Sequence, residues 1–188
     1  LGRRGPDSRD SIAFSEEGID ICMAHTRLSI QDLSVGGAQP RVSENSLLVY
    51  NGEIFNFDGL RKMLEAQGCN FQSNSDTEVL DSLCQRLGVL SAVKLINGMY
   101  AFCYFDRKAN ELWLARDFFG QKPLFYYLEN SGVVFGSNTL AVKQGVIERL
   151  EISGDAVGEV FSFGYVRGRQ SIYEKIERVL PGEIIKIK

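Results

Sequence analysis

Apolar residues near the start of the chain alternate with polar ones, which is the period of a β-strand. The pattern predicts strands at residues 12–14 and 19–24, separated by a turn at residues 16–18. Residues 34–40 contain two adjacent glycines and a proline and are predicted to form a loop. The continuous apolar run at residues 47–50 predicts a strand that is buried on both faces.

Two stretches with helical spacing follow this strand, and each has a start and a stop signal. The first lies between Asp58 and Gly68, and its apolar face consists of Leu60, Met63 and Leu64. In the second, Ser75 and Glu78 have the spacing of a capping box, and Gly88 marks the end. Its apolar stripe consists of Leu80, Leu83, Cys84 and Leu87.

Strand-like patterns return after Gly98. The predicted strands are residues 99–105, 111–116, 124–128, 133–136 and 183–187, with turns at residues 106–110 and 129–132. A short helix is predicted around residues 155–161. Strands, then two helices, then more strands favour an α+β fold with mostly antiparallel sheets.

Composition narrows the class of protein. A chain of 188 residues with 44% hydrophobic content is long enough for one compact domain, so we expect a single domain over residues 1–188. The formal charge of −3 and the scattered basic residues disfavour binding to nucleic acid or to a membrane surface. Without a membrane-length apolar run or a signal-peptide pattern, a cytoplasmic location is expected. The four widely spaced cysteines are typical of reduced thiols.

His25 is the only histidine in the sequence, so a histidine-cluster metal site is excluded. A Ser/His/Asp triad would have to use this residue. Because His25 ends a predicted strand, a structural role is favoured over that of a general base. Neither of the common glycine-rich phosphate-binding motifs is present, so nothing in the sequence indicates phosphate binding.

Arg27 is the first of several polar residues that suit recognition of a free amino acid. It follows a predicted strand, where its guanidinium can pair with a carboxylate through two parallel hydrogen bonds. A structural ion pair of Arg27 with Asp32 or Glu53 is the alternative interpretation.

Asn51 and Gly52 follow the predicted strand at residues 47–50. An Asn-Gly pair is common in hairpin turns, but a carboxamide beside a glycine N–H is also a workable oxyanion hole for acyl transfer. Asp76 lies in the first turn of a predicted helix, where an acid favours the helix dipole. The same carboxylate is suited to holding an ammonium group, and the two roles are compatible.

Seven motifs occur in order along the chain, at residues 4–7, 25–32, 37–40, 51–56, 75–78, 97–102 and 115–127. Together they resemble the class II, N-terminal-nucleophile amidotransferase domain of glutamine-hydrolysing asparagine synthetases of the B type. The resemblance extends from Arg4 to about Gly182. It implies a four-layer α/β/β/α sandwich of the Ntn-hydrolase type. It also implies an enzyme that hydrolyses glutamine to glutamate and ammonia through a cysteinyl thioester.

The resemblance also implies a role for each candidate residue. Arg27 would bind the α-carboxylate of glutamine, and Asp76, helped by Glu53 or the Gly52 backbone, would hold the α-ammonium group. Asn51 and the N–H of Gly52 would form the oxyanion hole. The complete set of implied glutamine-binding residues is Arg27, Leu28, Ile30, Asn51, Gly52, Glu53 and Asp76.

One part of the family pattern is missing from the sequence. The family's nucleophile is a cysteine at the mature N-terminus, and neither it nor its strand precedes Arg4. Cys22 is the nearest thiol, but its backbone nitrogen is an amide and not the free amine that would serve as base. We therefore expect this polypeptide to be inactive by itself, as a piece of a longer enzyme.

The resemblance further implies a synthetase domain in the parent protein, using ATP and Mg²⁺ to transfer ammonia to an acceptor, with aspartate the expected one. No cofactor or metal is expected in the present domain, and a homodimer is compatible with the family. Two other interpretations stay open. One is a glutamine-binding or regulatory module that has lost its nucleophile, and the other is a scaffold that docks a partner domain.

Overall fold

The computed structural model describes residues 5, 7–16, 18–28, 35–129 and 132–188. In these ranges the strands form three sheets, of order β1-β2, β10-β6-β5-β4-β3 and β8-β7-β9, and all of their pairings are antiparallel. The strands are β1 (Ser8–Glu16), β2 (Ile19–Arg27), β3 (Arg41–Val42), β4 (Ser46–Ile54), β5 (Gly98–Asp106), β6 (Glu111–Arg116), β7 (Phe125–Glu129), β8 (Gly132–Gly136), β9 (Glu177–Arg178) and β10 (Ile184–Ile187).

Five α-helices lie in the described residues, and three of them begin at a residue whose side chain caps the first turn. The five helices are α1 (Phe57–Ala66), α2 (Asp76–Leu87), α3 (Val89–Leu95), α4 (Thr139–Gly145) and α5 (Gly154–Phe163). The side chains of Ser75, Asn138 and Ser153 accept hydrogen bonds from the first turns of α2, α4 and α5. Gly88 ends α2 at a φ of 76°, where glycine is favoured, and directly precedes α3. None of the helices in the described residues combines the length and apolar character that a membrane crossing requires.

The five-stranded sheet is covered by a different layer on each of its faces. Alternate residues of β4, such as Leu48 and Tyr50, pack with the apolar faces of α1, α2 and α3. The intervening residues, such as Leu47 and Val49, pack against β2 and β7 in a second core. A third core lies on the far side of β7, where α4 contributes Val142.

These three cores separate four layers: helices α1–α3, the five-stranded sheet, the two smaller sheets, and α4. The expected α+β fold with a four-layer α/β/β/α arrangement is therefore confirmed. The strands and helices predicted from periodicity are also present, most of them longer than predicted.

The elements that periodicity missed are short. They are α3 and α4, with seven residues each, and β3 and β9, with two residues each. A segment of that length carries too few apolar positions to establish a period. Leu87 was expected in the apolar stripe of α2, but its side chain is 38% exposed because the helix ends there.

The predicted capping box at the start of α2 is half correct. Ser75 accepts a hydrogen bond from the N–H of Thr77 at 3.1 Å. Glu78 was expected to reach back to Ser75, but its carboxylate instead accepts bonds from Ser73 and from Arg41. The spacing of Ser75 and Glu78 correctly predicted where the helix starts. It could not predict the partner of Glu78, because Arg41 lies 37 residues away in the chain.

Candidate active site

Among the described residues, one edge of β4 is unpaired beyond the end of the short strand β3, which pairs with Leu47 and Leu48. This part of β4 is called the open edge. In an antiparallel strand the N–H and C=O of one residue point to the same side, and this side alternates along the chain. The N–H of Tyr50 bonds to Oε1 of Gln39 at 2.6 Å, and that of Ile54 bonds to Oδ2 of Asp76 at 3.1 Å. These N–H groups therefore face away from β5, along the open edge.

Gly52 lies between Tyr50 and Ile54, so its N–H and C=O face the same open edge. Among the described residues, no side chain is hydrogen-bonded to either group. A side chain at this position would not fit, because an added Cβ would lie 2.2 Å from the carbonyl oxygen of Met99 and 2.8 Å from Cα of Tyr100. In the described ranges, Gly52 thus presents a donor and an acceptor without a side-chain partner, at a point where the backbones of β4 and β5 are in close contact.

Asn51 and Glu53 alternate with Gly52 along β4, so their side chains lie on the face that packs toward the smaller sheets. Both residues are partly buried. Asn51 lines a cleft of about 600 Å³ together with His25 and Thr26 of β2. The interpretation of Asn51-Gly52 as a hairpin turn is therefore wrong, because both residues lie inside a nine-residue strand.

Asp76 is brought to the open edge by the first turn of α2. Its Oδ2 accepts hydrogen bonds from the hydroxyl of Tyr50 at 2.7 Å and from the N–H of Ile54. Burial raises the pKa of Asp76 and the nearby Glu53 adds to this effect, while the bonds from Tyr50 and Ile54 act in the opposite direction. Burial and the neighbouring Asp76 also raise the pKa of the Tyr50 hydroxyl, which therefore stays protonated as a donor.

Arg27 is the last residue of β2 and is partly buried. Its carbonyl accepts a hydrogen bond from the N–H of Asp7 at 3.1 Å, which holds the strand end in place. Gly5 packs directly against this segment, since a Cβ there would lie 2.2 Å from the carbonyl oxygen of Thr26. The alternative ion pair of Arg27 with Asp32 falls on a residue outside the described ranges.

His25 lies on β2 and lines the same cleft as Asn51. Its Nδ1 is buried without a hydrogen-bond partner among the described residues. Burial lowers the pKa of His25 and the charge of Arg27 lowers it further, while the nearby Tyr50 backbone acts in the opposite direction.

A buried charge network fixes α2 against the strands. Arg41 forms ion pairs with Glu78 and Asp81, each with an N–O distance of 3.0 Å, and both carboxylates are almost fully buried. Ser46 of β4 donates a further bond to Asp81 at 2.5 Å. This network connects α2, which carries Asp76, to the two strands at the open edge.

None of the described thiols is placed at the open edge of β4. Cys84 and Cys103 are buried, which raises the pKa of both. Cys69 is partly exposed beside Arg86, whose Nη1 lies 3.4 Å from the sulfur. Cys22 is exposed on β2 and lines the cleft, three residues before His25. Among the described residues no group of three or more His, Cys, Asp or Glu side chains is arranged to hold a metal ion.

Comparison with known proteins identifies the family to which this chain belongs. Residues 1–188 match the family model described as a glutamine amidotransferase domain. The chain belongs to this family. Its glutamine amidotransferase fold is similar to the structure of glutamine phosphoribosylpyrophosphate amidotransferase from Bacillus subtilis complexed with ADP and GMP. The TM-score is 0.59 and the identity 26%, covering 88% of this chain and 32% of that one.

Several curated relatives are glutamine-hydrolyzing asparagine synthetases, which confirms the resemblance stated from the motifs. Asparagine synthetase 1 of Bacillus subtilis is 37% identical over 189 residues, which are 98% of this chain and 28% of the relative. Asparagine synthetase 3 of the same organism is 34% identical over 191 residues, which are 98% of this chain and 30% of the relative. This amidotransferase domain therefore spans about a third of the length of the relatives it matches.

The structure brings part of the predicted site together. Asp76 bonds to the N–H of Ile54, two residues after Gly52 on the open edge of β4, and Glu53 is close enough to influence the pKa of Asp76. Asn51 lies on the adjoining face of the strand, toward the cleft. Leu28 follows the end of β2 and is 57% exposed. The prediction for Ile30 lies outside the described residues.

Sequence reasoning missed two residues at this candidate site. Gln39 was assigned to a loop and Tyr50 to a buried strand, yet both bind the groups that shape the open edge. Gln39 lies in the motif at residues 37–40 and is 8% exposed. A glutamine inside a recognised motif was the available signal, but its partner Tyr50 could not be identified from spacing.

Proposed function

We propose that this chain is the glutamine-binding, ammonia-releasing half of an amidotransferase of the asparagine synthetase type. The observation that carries the proposal is the open edge of β4, where the Gly52 N–H and C=O lie between groups already bound by Gln39 and Asp76. Such an edge offers a donor for an oxyanion and an acceptor for an ammonium group within one residue.

We assign a partner to each charged end of glutamine. Asp76 and the carbonyl of Gly52 receive the α-ammonium group, with Glu53 adding negative charge. Arg27, at the end of β2, binds the α-carboxylate through its guanidinium, whose planar fork matches a carboxylate. Leu28, which directly follows Arg27, is the proposed apolar contact for the substrate, and the expected contact from Ile30 lies outside the described residues.

The Asn51 side chain and the Gly52 N–H form the oxyanion hole for the carboxamide. Attack of a thiolate on this carboxamide gives a tetrahedral oxyanion, which two preorganised donors stabilise more than they stabilise the planar amide. Collapse of the oxyanion, with the proton taken from the thiol returned to the departing nitrogen, releases ammonia and leaves a thioester. Water then hydrolyses the thioester to glutamate and regenerates the thiol.

The nucleophile in this proposal is a cysteine that precedes Leu1 in the parent protein. Support comes from the cleft beside Asn51, which is lined by β2 on one side and by β8 on the other. In the described part of the chain, β2 pairs only with β1 and β8 only with β7, so each presents an unpaired edge. An extended segment in this cleft would hydrogen-bond to such edges and end near Asn51.

The rest of the parent would use the released ammonia. Because the curated relatives are about three times as long as this chain, we propose a synthetase domain following it, with ATP and Mg²⁺ bound there. Aspartate is the proposed acceptor, and glutamine is the substrate of the present domain. A cytoplasmic homodimer is the proposed assembly.

The test is to incubate the full-length parent, with its native N-terminus, with glutamine labelled at the amide nitrogen. We expect labelled ammonia and glutamate, and we expect replacement of the N-terminal cysteine by alanine to abolish both. Calorimetry with glutamine should still give binding to that alanine variant. Binding without any hydrolysis by the wild-type parent would overturn the proposal and favour a glutamine-binding module instead.

A further inference from the structure

The ring of Tyr50 packs against Gly52 on the open edge of β4. Tyr50, Gly52 and Ile54 alternate along the strand, so they share the face that packs with the helices α1–α3. A Cβ added at Gly52 would lie 2.8 Å from Cε2 of Tyr50. The tyrosine ring therefore fills the space that a side chain at Gly52 would need.

The hydroxyl of Tyr50 and the backbone of Ile54 hold the same atom of Asp76. Its Oδ2 accepts a hydrogen bond from the hydroxyl at 2.7 Å and one from the N–H of Ile54 at 3.1 Å. Tyr50 is 3% exposed and Asp76 is 7% exposed, so both bonds are shielded from water. A carboxylate has about four acceptor sites on its two oxygens, and it can therefore bind a further donor through Oδ1.

We propose that Tyr50 is a positioning residue for recognition of the α-ammonium group of glutamine. By binding Oδ2, its hydroxyl turns the Asp76 carboxylate so that Oδ1 receives the ammonium group beside the Gly52 carbonyl. Tyr50 itself does not contact the substrate in this arrangement. The inference rests on the proposed function. It deepens that function by assigning the selection for an α-amino acid to a residue that does not bind it.

The charge state of the pair agrees with this role. Burial raises the pKa of Asp76, whereas the bonds from Tyr50 and Ile54 lower it and favour the charged carboxylate. Glu53 is a further acid on β4, and its charge raises the pKa of Asp76. Burial and the neighbouring Asp76 raise the pKa of the Tyr50 hydroxyl, so this group stays protonated as a donor. The hydroxyl thus orients the carboxylate and helps to keep it charged, as an ammonium group requires.

Tyr50→Phe removes the hydroxyl and keeps the ring that packs against Gly52. Tyr127→Phe is the matched control, because Tyr127 is also buried and its hydroxyl donates to the carboxylate of Glu148 at 2.7 Å. Tyr127 belongs to the third core, on the far side of β7 from the open edge. Both variants are made in the full-length parent, and their thermal midpoints are measured in parallel.

The readout is the preference for glutamine over 4-carbamoylbutanoate, which is glutamine without its α-ammonium group. The preference is the ratio of kcat/KM for hydrolysis of the two compounds. Loss of one hydrogen bond to a charged group corresponds to about a tenfold change, so Tyr50→Phe should raise KM for glutamine by about tenfold with kcat within about threefold of the wild type. Because kcat/KM for the analogue should hardly change, the preference should fall about tenfold. Tyr127→Phe should leave it unchanged.

Asp76→Asn tests the same geometry through the carboxylate. The introduced amide oxygen can replace Oδ2 as the acceptor for Tyr50 and Ile54, which turns the new NH₂ group toward the ammonium site. The variant should therefore fold but lose at least about 100-fold in its preference for glutamine, since an ammonium group then meets a donor instead of a charged acceptor. Because Tyr50 acts through Asp76, adding Tyr50→Phe to Asp76→Asn should change the preference no further.

The outcomes are distinguishable. In Tyr50→Phe, equal losses for both compounds, or no loss for either, would overturn the positioning role and leave Tyr50 as a structural residue. If Tyr50→Phe does not fold, Asp76→Asn decides, and a folded variant with the wild-type preference would overturn the proposal. A wild-type parent that releases no ammonia from glutamine would refute the proposed function itself, before any variant is compared.

Discussion

Replacing Gly52 by alanine perturbs the open edge of β4 with a single methyl group. The new Cβ would lie 2.2 Å from the carbonyl oxygen of Met99 and 2.8 Å from Cα of Tyr100, and both are backbone atoms of the neighbouring strand. A normal contact needs about 1 Å more, and a backbone inside a sheet moves only with its hydrogen bonds. Overpacking of this kind costs about 1–3 kcal/mol, and a backbone clash belongs at the upper end.

We therefore expect Gly52→Ala to lower the free energy of unfolding by about 3 kcal/mol. In urea titration, with a slope of about 2 kcal/mol per molar, the midpoint would fall by about 1.5 M. Gly59→Ala is the matched control, because Gly59 lies in α1 with no atom within 4 Å of an added Cβ. That substitution should stabilise the chain by up to about 1 kcal/mol. A Gly52→Ala midpoint equal to that of the wild type would refute the reasoning about close contact at this edge.

Three further predictions follow from the charged groups and the oxyanion hole. Arg41→Ala leaves two buried carboxylates without their partner and should lower the free energy of unfolding by about 3 kcal/mol; a loss below about 1 kcal/mol would contradict this. Burial would raise the pKa of Glu78, but hydrogen bonds from Ser73 and Gln72 and the charge of Arg41 hold it below its usual 4.5. The ionised Glu78 carboxylate therefore stabilises the fold fully above about pH 4.5, and this stabilisation is lost as the pH falls further. Below this pH, the thermal midpoint of the wild type should then drop more steeply than that of Glu78→Gln. In the parent, Asn51→Ala should lower kcat for glutamine hydrolysis by about 10²-fold or more with little change in KM, and equal losses in both would count against an oxyanion role.

The long strands and helices could be predicted from the sequence because they carry clear periods, whereas the four layers were implied by the family resemblance. The strand at residues 47–50 and the apolar stripe of α2 both became part of the core next to the helices. The end of β4 was not anticipated, since Asn51 and Gly52 interrupt the apolar run without ending the strand. A polar pair at this point resembles a turn until its neighbours on β5 are known.

The candidate site was predictable as a set of residues but not as an arrangement. Asp76 and Gly52 were identified from motifs, whereas the open edge between them depends on β3 being only two residues long. Gln39 and Asp76 reach the β4 backbone from 11 and 22 residues away in the chain. Contacts at such separations depend on the folded sheet and leave no local pattern.

The central claim is that the open edge of β4 binds glutamine through Gly52 and its neighbours. The most direct test is to titrate the ¹⁵N-labelled chain with glutamine and follow backbone amide resonances by NMR. We expect the largest shifts at Gly52, Ile54 and the end of β2, with smaller shifts in a Gly52→Ala sample. Glutamine at millimolar concentration that shifts no resonance at this edge, or that shifts only residues of α5, would contradict the account.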